Sequence, residues 1–183
     1  CYIKFNKWYT LYFVTNYNRL DGNILRFISQ KLKTNLFIKY FGITKVPLIF
    51  YCRPKVIKIS SESVTLKIPF IRRNKNHVGS MYLGSMSVGA DLASGLLSFN
   101  LVSKSSKKVI PLFKDMKSEF FKRAEGDVHF VCNEGNKIKS MIKKAISEKV
   151  RVNEPINVTA FVPDKLGDEP VAKFSLTLSL KAY

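Results

Sequence analysis

The stretch MYLGSMSVGADLASGLLSFNLVS, residues 81–103, decides how the rest of the chain must fold. Met86, Ala90, Ala93, Leu97 and Leu101 recur at intervals of four, three, four and four, the period of one helix face. Asp91 is its one charged residue, and the positions off the stripe are mostly small or apolar. A helix of this kind asks to be enclosed on most sides.

The flanks supply what could enclose it. Upstream, Val64, Leu66, Ile68 and Phe70 alternate with Thr65, Lys67 and Pro69, the period-two pattern of a half-buried strand. The run Val56 to Ile59 pairs with it through the turn Ser60-Ser61-Glu62. Downstream, strands are predicted at Val109 to Phe113, Lys117 to Arg123, and over Val128, Phe130 and Cys132. A surface helix follows, with the stripe Ile138, Met141, Ile142, Ala145 and Val150 and with Asn136 as its cap. Ile156, Val158 and Ala160, then Phe174, Leu176, Leu178 and Leu180, close the chain as two more alternating strands, separated by a turn region from Pro163 to Pro170. Strands in hairpin succession predict an antiparallel sheet. The fold class is α+β, with the sheet curled around the apolar helix.

Before all this comes a helix with apolar residues at Ile24, Phe27, Ile28, Leu32, Leu36 and Tyr40, ended by Gly42. Its other face carries Arg26, Lys31, Lys33 and Lys39. A basic amphipathic helix can lie on a membrane, but more often it covers a sheet edge or a partner subunit. Residues 1–22 are aromatic and are expected to form an arm on a single domain spanning 23–183.

The chain of 183 residues is 46% hydrophobic, enough for a sizeable core. It holds 31 Lys and Arg against 13 Asp and Glu, a formal charge of +18, so polyanions are attracted to it. The basic residues are scattered, with short runs such as Arg72-Arg73-Asn74-Lys75, and read mainly as a soluble surface. Cys1, Cys52 and Cys132 show no paired spacing, and His77 and His129 are too few for a metal centre. No metal is expected, and a cytoplasmic, reducing setting fits best.

The long helix also has a second face. Gly84, Ser87, Asp91, Gly95 and Ser98 lie together, rotated away from the apolar stripe. Such a strip lets another backbone or a ligand come close. Close helix packing and a ligand groove both account for it, and a subunit interface satisfies both.

The segment Asn76-His77-Val78-Gly79-Ser80-Met81-Tyr82-Leu83-Gly84, with Asp91 seven residues beyond Gly84, resembles the signature of the PaaI-like hot-dog thioesterases. Asn76, Gly79, Gly84 and Asp91 match that pattern at its spacings. Tyr82 stands where the family has His, and Leu83 where it has its first Gly. The resemblance implies a hot-dog fold and hydrolysis of an acyl thioester, with Asp91 as general base or nucleophile. It implies that amides around Tyr82, Leu83 and Gly84 polarise the carbonyl, and that Asn76 and Gly79 help shape the substrate site. The substrate implied is acyl-CoA or an acyl-carrier protein, with coenzyme A part of the substrate and no separate cofactor. Arg72, Arg73 and Lys75, beside the motif, are candidate phosphate contacts. The assembly implied is a homodimer or dimer of dimers. A non-catalytic acyl-CoA-binding protein and a basic nucleic-acid or lipid-surface binder are the alternatives, although neither nucleic acid nor membrane is an expected partner.

Overall fold

Alternation in sequence becomes a row of buried side chains across one sheet. The computed structural model describes residues 29–183. The expected arm over 1–22, Cys1 and the start of the first helix lie outside that range. The described chain begins with α1 (Gln30–Thr44) and α2 (Pro47–Cys52). The hairpin β1 (Lys55–Ile59) and β2 (Val64–Ile68) follows, then a short 3-10 turn, Arg72–Asn74. Next come α3 (Leu83–Val102), β3 (Val109–Phe120), β4 (Val128–Cys132) and α4 (Gly135–Glu148). The chain ends with β5 (Val152–Phe161), the single turn α5 (Pro163–Leu166) and β6 (Pro170–Ala182).

The strands form one antiparallel sheet in the order β1-β2-β4-β5-β6-β3. Leu66 pairs with Phe130, Phe130 with Ala160, and Ala160 with Ala172, so one line of inward residues runs across four strands. All four are fully buried. The predicted α3 stripe is buried too, against β2, β4 and β5. Each fully buried Leu or Phe contributes about 1.5–3 kcal/mol, so Leu66 and Phe130 are the anchors of this seam. α4 lies beside α3 and buries Ile138, Met141, Ile142 and Ala145.

Four local expectations are corrected. Leu32, Leu36 and Tyr40 of α1 point outward, and Thr34, Ile38 and Gly42 are the buried positions. The helix is apolar on two sides, so periodicity alone could not say which side packs. Gly42 does not end α1 but lies within its last turn, against the backbone of Phe50. α4 is capped by Glu134, not Asn136, because the Gly135 N–H donates to the Glu62 carbonyl at 3.0 Å and draws the helix start back by two residues. The two strands expected between Val109 and Arg123 are one strand, β3, carrying a bulge in which three steps from Phe113 to Met116 face two from Leu178 to Leu176.

Candidate active site

The start of α3 is held by a buried asparagine. Asn74 Nδ2 donates to the carbonyls of Cys52 (3.0 Å) and Pro69 (2.9 Å), and its Oδ1 accepts from Ser85 Oγ at 3.3 Å. Its own carbonyl accepts the Tyr82 N–H at 2.7 Å. One side chain thereby ties α2, the end of β2 and the first turn of α3 together. Nothing in the run Arg72-Arg73-Asn74-Lys75 marks Asn74, because its partners come from separated segments.

The loop before α3 is fixed from both sides. Asn76 Oδ1 accepts the amides of Val78 (3.1 Å) and Ser80 (2.9 Å), so this oxygen shapes the loop. Gly79 turns the chain at φ +77°, a conformation that favours glycine. Arg123, beyond β3, donates from Nε to Ser80 Oγ at 2.9 Å and from Nη2 to the Val78 carbonyl. Tyr82 is the N-cap of α3 and makes no side-chain capping bond. The amides of Leu83, Gly84 and Ser85 therefore open the helix without a side-chain acceptor, at its positive end. The ring of Tyr82 leans over Gly84, where a Cβ would come within 2.6 Å of its Cε1. Tyr82 and Leu83 are both more than half exposed, at 54% each.

Asp91 lies on the same side of α3 as Gly84, about 10 Å further along the axis. It lines a crevice of about 330 Å³ with Ser87 and Val88 of α3, and with Phe113, Lys114, Asp115 and Met116 at the β3 bulge. Asp91 is an exposed residue at the mouth of this crevice, and partial desolvation by the protein around it raises its carboxyl above the ordinary carboxylate value. Among the described residues no hydrogen bond or ion pair to that carboxylate offsets the effect. Asp115 Oδ1, by contrast, accepts from Thr177 Oγ1 at 2.8 Å. Gly95, on the same face, leaves room toward Phe113.

Arg72, Arg73 and Lys75 come together with Tyr51 around an open hollow of about 560 Å³. The Arg73 guanidinium stacks 4.8 Å over the Tyr51 ring, and the Lys75 ammonium sits 4.0 Å over Phe70. Because Asn74 lies inside this run and bonds Ser85, the three cations flank the first turn of α3. His77 is exposed on the loop. Burial raises the Cys52 thiol and pushes Cys132 up to about 11, which keeps both protonated and unreactive. Among the described residues no cluster of His, Cys, Asp or Glu could hold a metal ion. No described helix is long and apolar enough to cross a membrane.

A family profile described as "Domain of unknown function (DUF4442)" matches residues 34–180. No curated protein matches the sequence. Among solved structures, the chain is similar to a protein of unknown function from Pseudomonas aeruginosa described as a probable thioesterase. They share 21% identity at a TM-score of 0.68, over 81% of this chain and 95% of that one. Thioesterase superfamily member 2 of the zebra fish superposes at a TM-score of 0.59 with 11% identity, over 84% of this chain and 98% of that one. The thioesterase HI1161 of Haemophilus influenzae gives 0.60 at 9% identity, over 84% and 92%. At such identities the likeness shows the fold alone, and that fold is the hot-dog architecture of thioesterase-superfamily structures.

Proposed function

The chain belongs to the DUF4442 family, and from that premise we propose that it is an acyl thioester hydrolase acting on acyl-CoA or an acyl-carrier protein. The observation that carries the reading is Asp91: an exposed carboxylate at the mouth of a crevice, on the same side of α3 as Gly84 at the uncapped helix start, with its pKa raised by the protein around it. The PaaI-like motif through Asn76, Gly79, Gly84 and Asp91 is part of this proposal. Where the solved relatives are described as thioesterases, that description supports the same chemistry here.

In this reading the thioester carbonyl lies against the start of α3, and the amides there take up charge on its oxygen as it develops. Asp91 accepts a proton from water, and the hydroxide forms the new carbon–oxygen bond. The tetrahedral intermediate then collapses, the carbon–sulfur bond breaks, and the thiolate leaving group takes the proton back. A carboxylate of raised pKa is the better base for the first transfer. Arg72, Arg73 and Lys75 hold the phosphates of the coenzyme or carrier arm. β3 is the sheet edge beside Asp91, so a second copy joining that edge completes the crevice in a homodimer or dimer of dimers. Free thiols at Cys52 and Cys132 accord with a cytoplasmic setting.

Acyl-CoA binding without turnover is a second reading, and one observation favours it. The Tyr82 ring covers Gly84, where the carbonyl would approach. A thiol-release assay across short, long and aromatic acyl-CoAs decides the matter. Turnover by the wild type that Asp91→Asn lowers by about 100-fold or more supports hydrolysis. Saturable binding of acyl-CoA with no release by either form moves the protein to the second reading.

A further inference from the structure

α1 is apolar on two sides, and the described residues bury one of them. Its inner side buries Thr34 and Ile38, with Phe37 and Phe41 packed against the core. Its outer side presents Leu32, Leu36 and Ile43 at 49%, 54% and 55% exposure. α2 continues that surface with Leu48 at 57% and Tyr51 at 50%. Isolated exposed apolar residues are ordinary, but a run of them across two adjoining helices marks a surface that meets something.

The charges around the run narrow what that something is. A hollow of about 780 Å³ opens between α1 and α2, walled by Leu32, Ile38, Ile49 and Phe50 and rimmed by Lys31, Lys39, Arg53 and Lys55. The sequence holds no Asp or Glu between Asp21 and Glu62, so no carboxylate from this stretch balances those cations. Tyr51 joins this face to the cationic hollow of Arg72, Arg73 and Lys75, which extends the positive surface toward the start of α3.

We propose that the α1–α2 face docks on the surface of an anionic lipid bilayer. Leu32, Leu36, Ile43 and Leu48 enter the interfacial zone, Tyr51 sits at headgroup level, and Lys31, Lys39, Arg53 and Lys55 meet the lipid phosphates and carboxylates. The helices lie on the bilayer without crossing it. A second copy of the chain is a poorer occupant, because the same face repeated would set cations against cations with no carboxylate of residues 22–61 to answer them. Docking of this face does not depend on turnover.

Co-sedimentation of the full chain with phosphatidylcholine vesicles, with and without phosphatidylserine, tests it. Binding is expected only with phosphatidylserine present and is expected to fall with salt. It weakens about fivefold for each of Lys39→Ala and Lys55→Ala. Leu36→Glu with Leu48→Glu abolishes it, while Val150→Glu, an exposed apolar position elsewhere, leaves it intact. Equal behaviour toward both vesicle types, or full binding by the Leu36→Glu, Leu48→Glu variant, overturns the proposal. So does a wild type that ignores vesicles and runs as a dimer which this variant converts to monomer, since the face then joins two copies.

Discussion

The ring of Phe130 fills the space over Gly89 that a Cβ at that position would need. Alanine at position 89 would favour the helix by about 1 kcal/mol. Crowding a packed core costs about 1–3 kcal/mol, and Phe130 is fully buried with little room to retreat. Gly89→Ala should therefore lose up to about 2 kcal/mol, read as a lower urea midpoint. Adding Phe130→Leu should recover part of the loss, and a Gly89→Ala variant more stable than wild type would contradict the packing seen here.

Asp91 should make stability and activity pull in opposite directions. Burial raises its folded carboxyl above the ordinary 3.8, so the folded state holds the proton more tightly than the unfolded one. Its ionisation thus weakens the fold as pH rises through the folded value. Asp91→Asn should be slightly more stable than wild type at neutral pH and equal to it in strong acid, by thermal melts. In thiol-release assays the wild-type kcat/KM should climb with pH along a limb above 3.8 that the Asn variant lacks.

The Arg72, Arg73 and Lys75 hollow should act on binding rather than on chemistry. Changing all three to Ala should raise KM for an acyl-CoA about tenfold or more and leave kcat within twofold. An unchanged KM would remove the phosphate role from these residues.

Asn74 carries the first turn of α3 and is fully buried. Asn74→Ala leaves the Ser85 hydroxyl and the Cys52 carbonyl short of a partner, while the Pro69 carbonyl keeps the Ile71 N–H. The expected cost is about 2–4 kcal/mol by urea denaturation. Asn74→Asp should fare no better, since a carboxylate cannot donate to those carbonyls.

Asp127 sets an acid limit on the sheet. Its Oδ2 accepts from Lys67 Nζ at 2.6 Å and its Oδ1 from the Phe70 amide at 2.7 Å. The Lys67 bond first, and the Phe70 amide second, hold its carboxyl below the ordinary 3.8. This stabilisation is present above 3.8 and is lost as pH falls through the folded value. Asp127→Asn should be about 1 kcal/mol less stable at neutral pH, with the gap closing in acid.

Where one face of an element is apolar and the other polar, the sequence was readable. β2, β6 and the Met86 to Leu101 stripe of α3 lie where alternation and the helical period put them. α1 failed that reading because Leu36 and Ile38 are equally apolar, and only the packing on α2 and β1 separates them. Asp91 and the Arg72 to Lys75 run could be singled out from their neighbours in the chain. Asn74 and Arg123 could not, because their partners lie far apart in sequence: Asn74 meets Cys52 and Ser85, and Arg123 meets Val78 and Ser80. Lys114 and Asp115 reach the Asp91 crevice only through an irregularity in β3 that no alternation pattern announces.

That irregularity carries a consequence for how the strand can evolve. Side chains along a strand swap sides at every step, so the supernumerary residue between Phe113 and Met116 reverses the facing of everything from there to Phe120. Excising it would restore an even ladder and turn the far half of the edge over, moving Lys117 and Glu119 to the side that Met116 and Phe120 now occupy. A single-codon deletion there would be far more damaging than most point substitutions along the same strand.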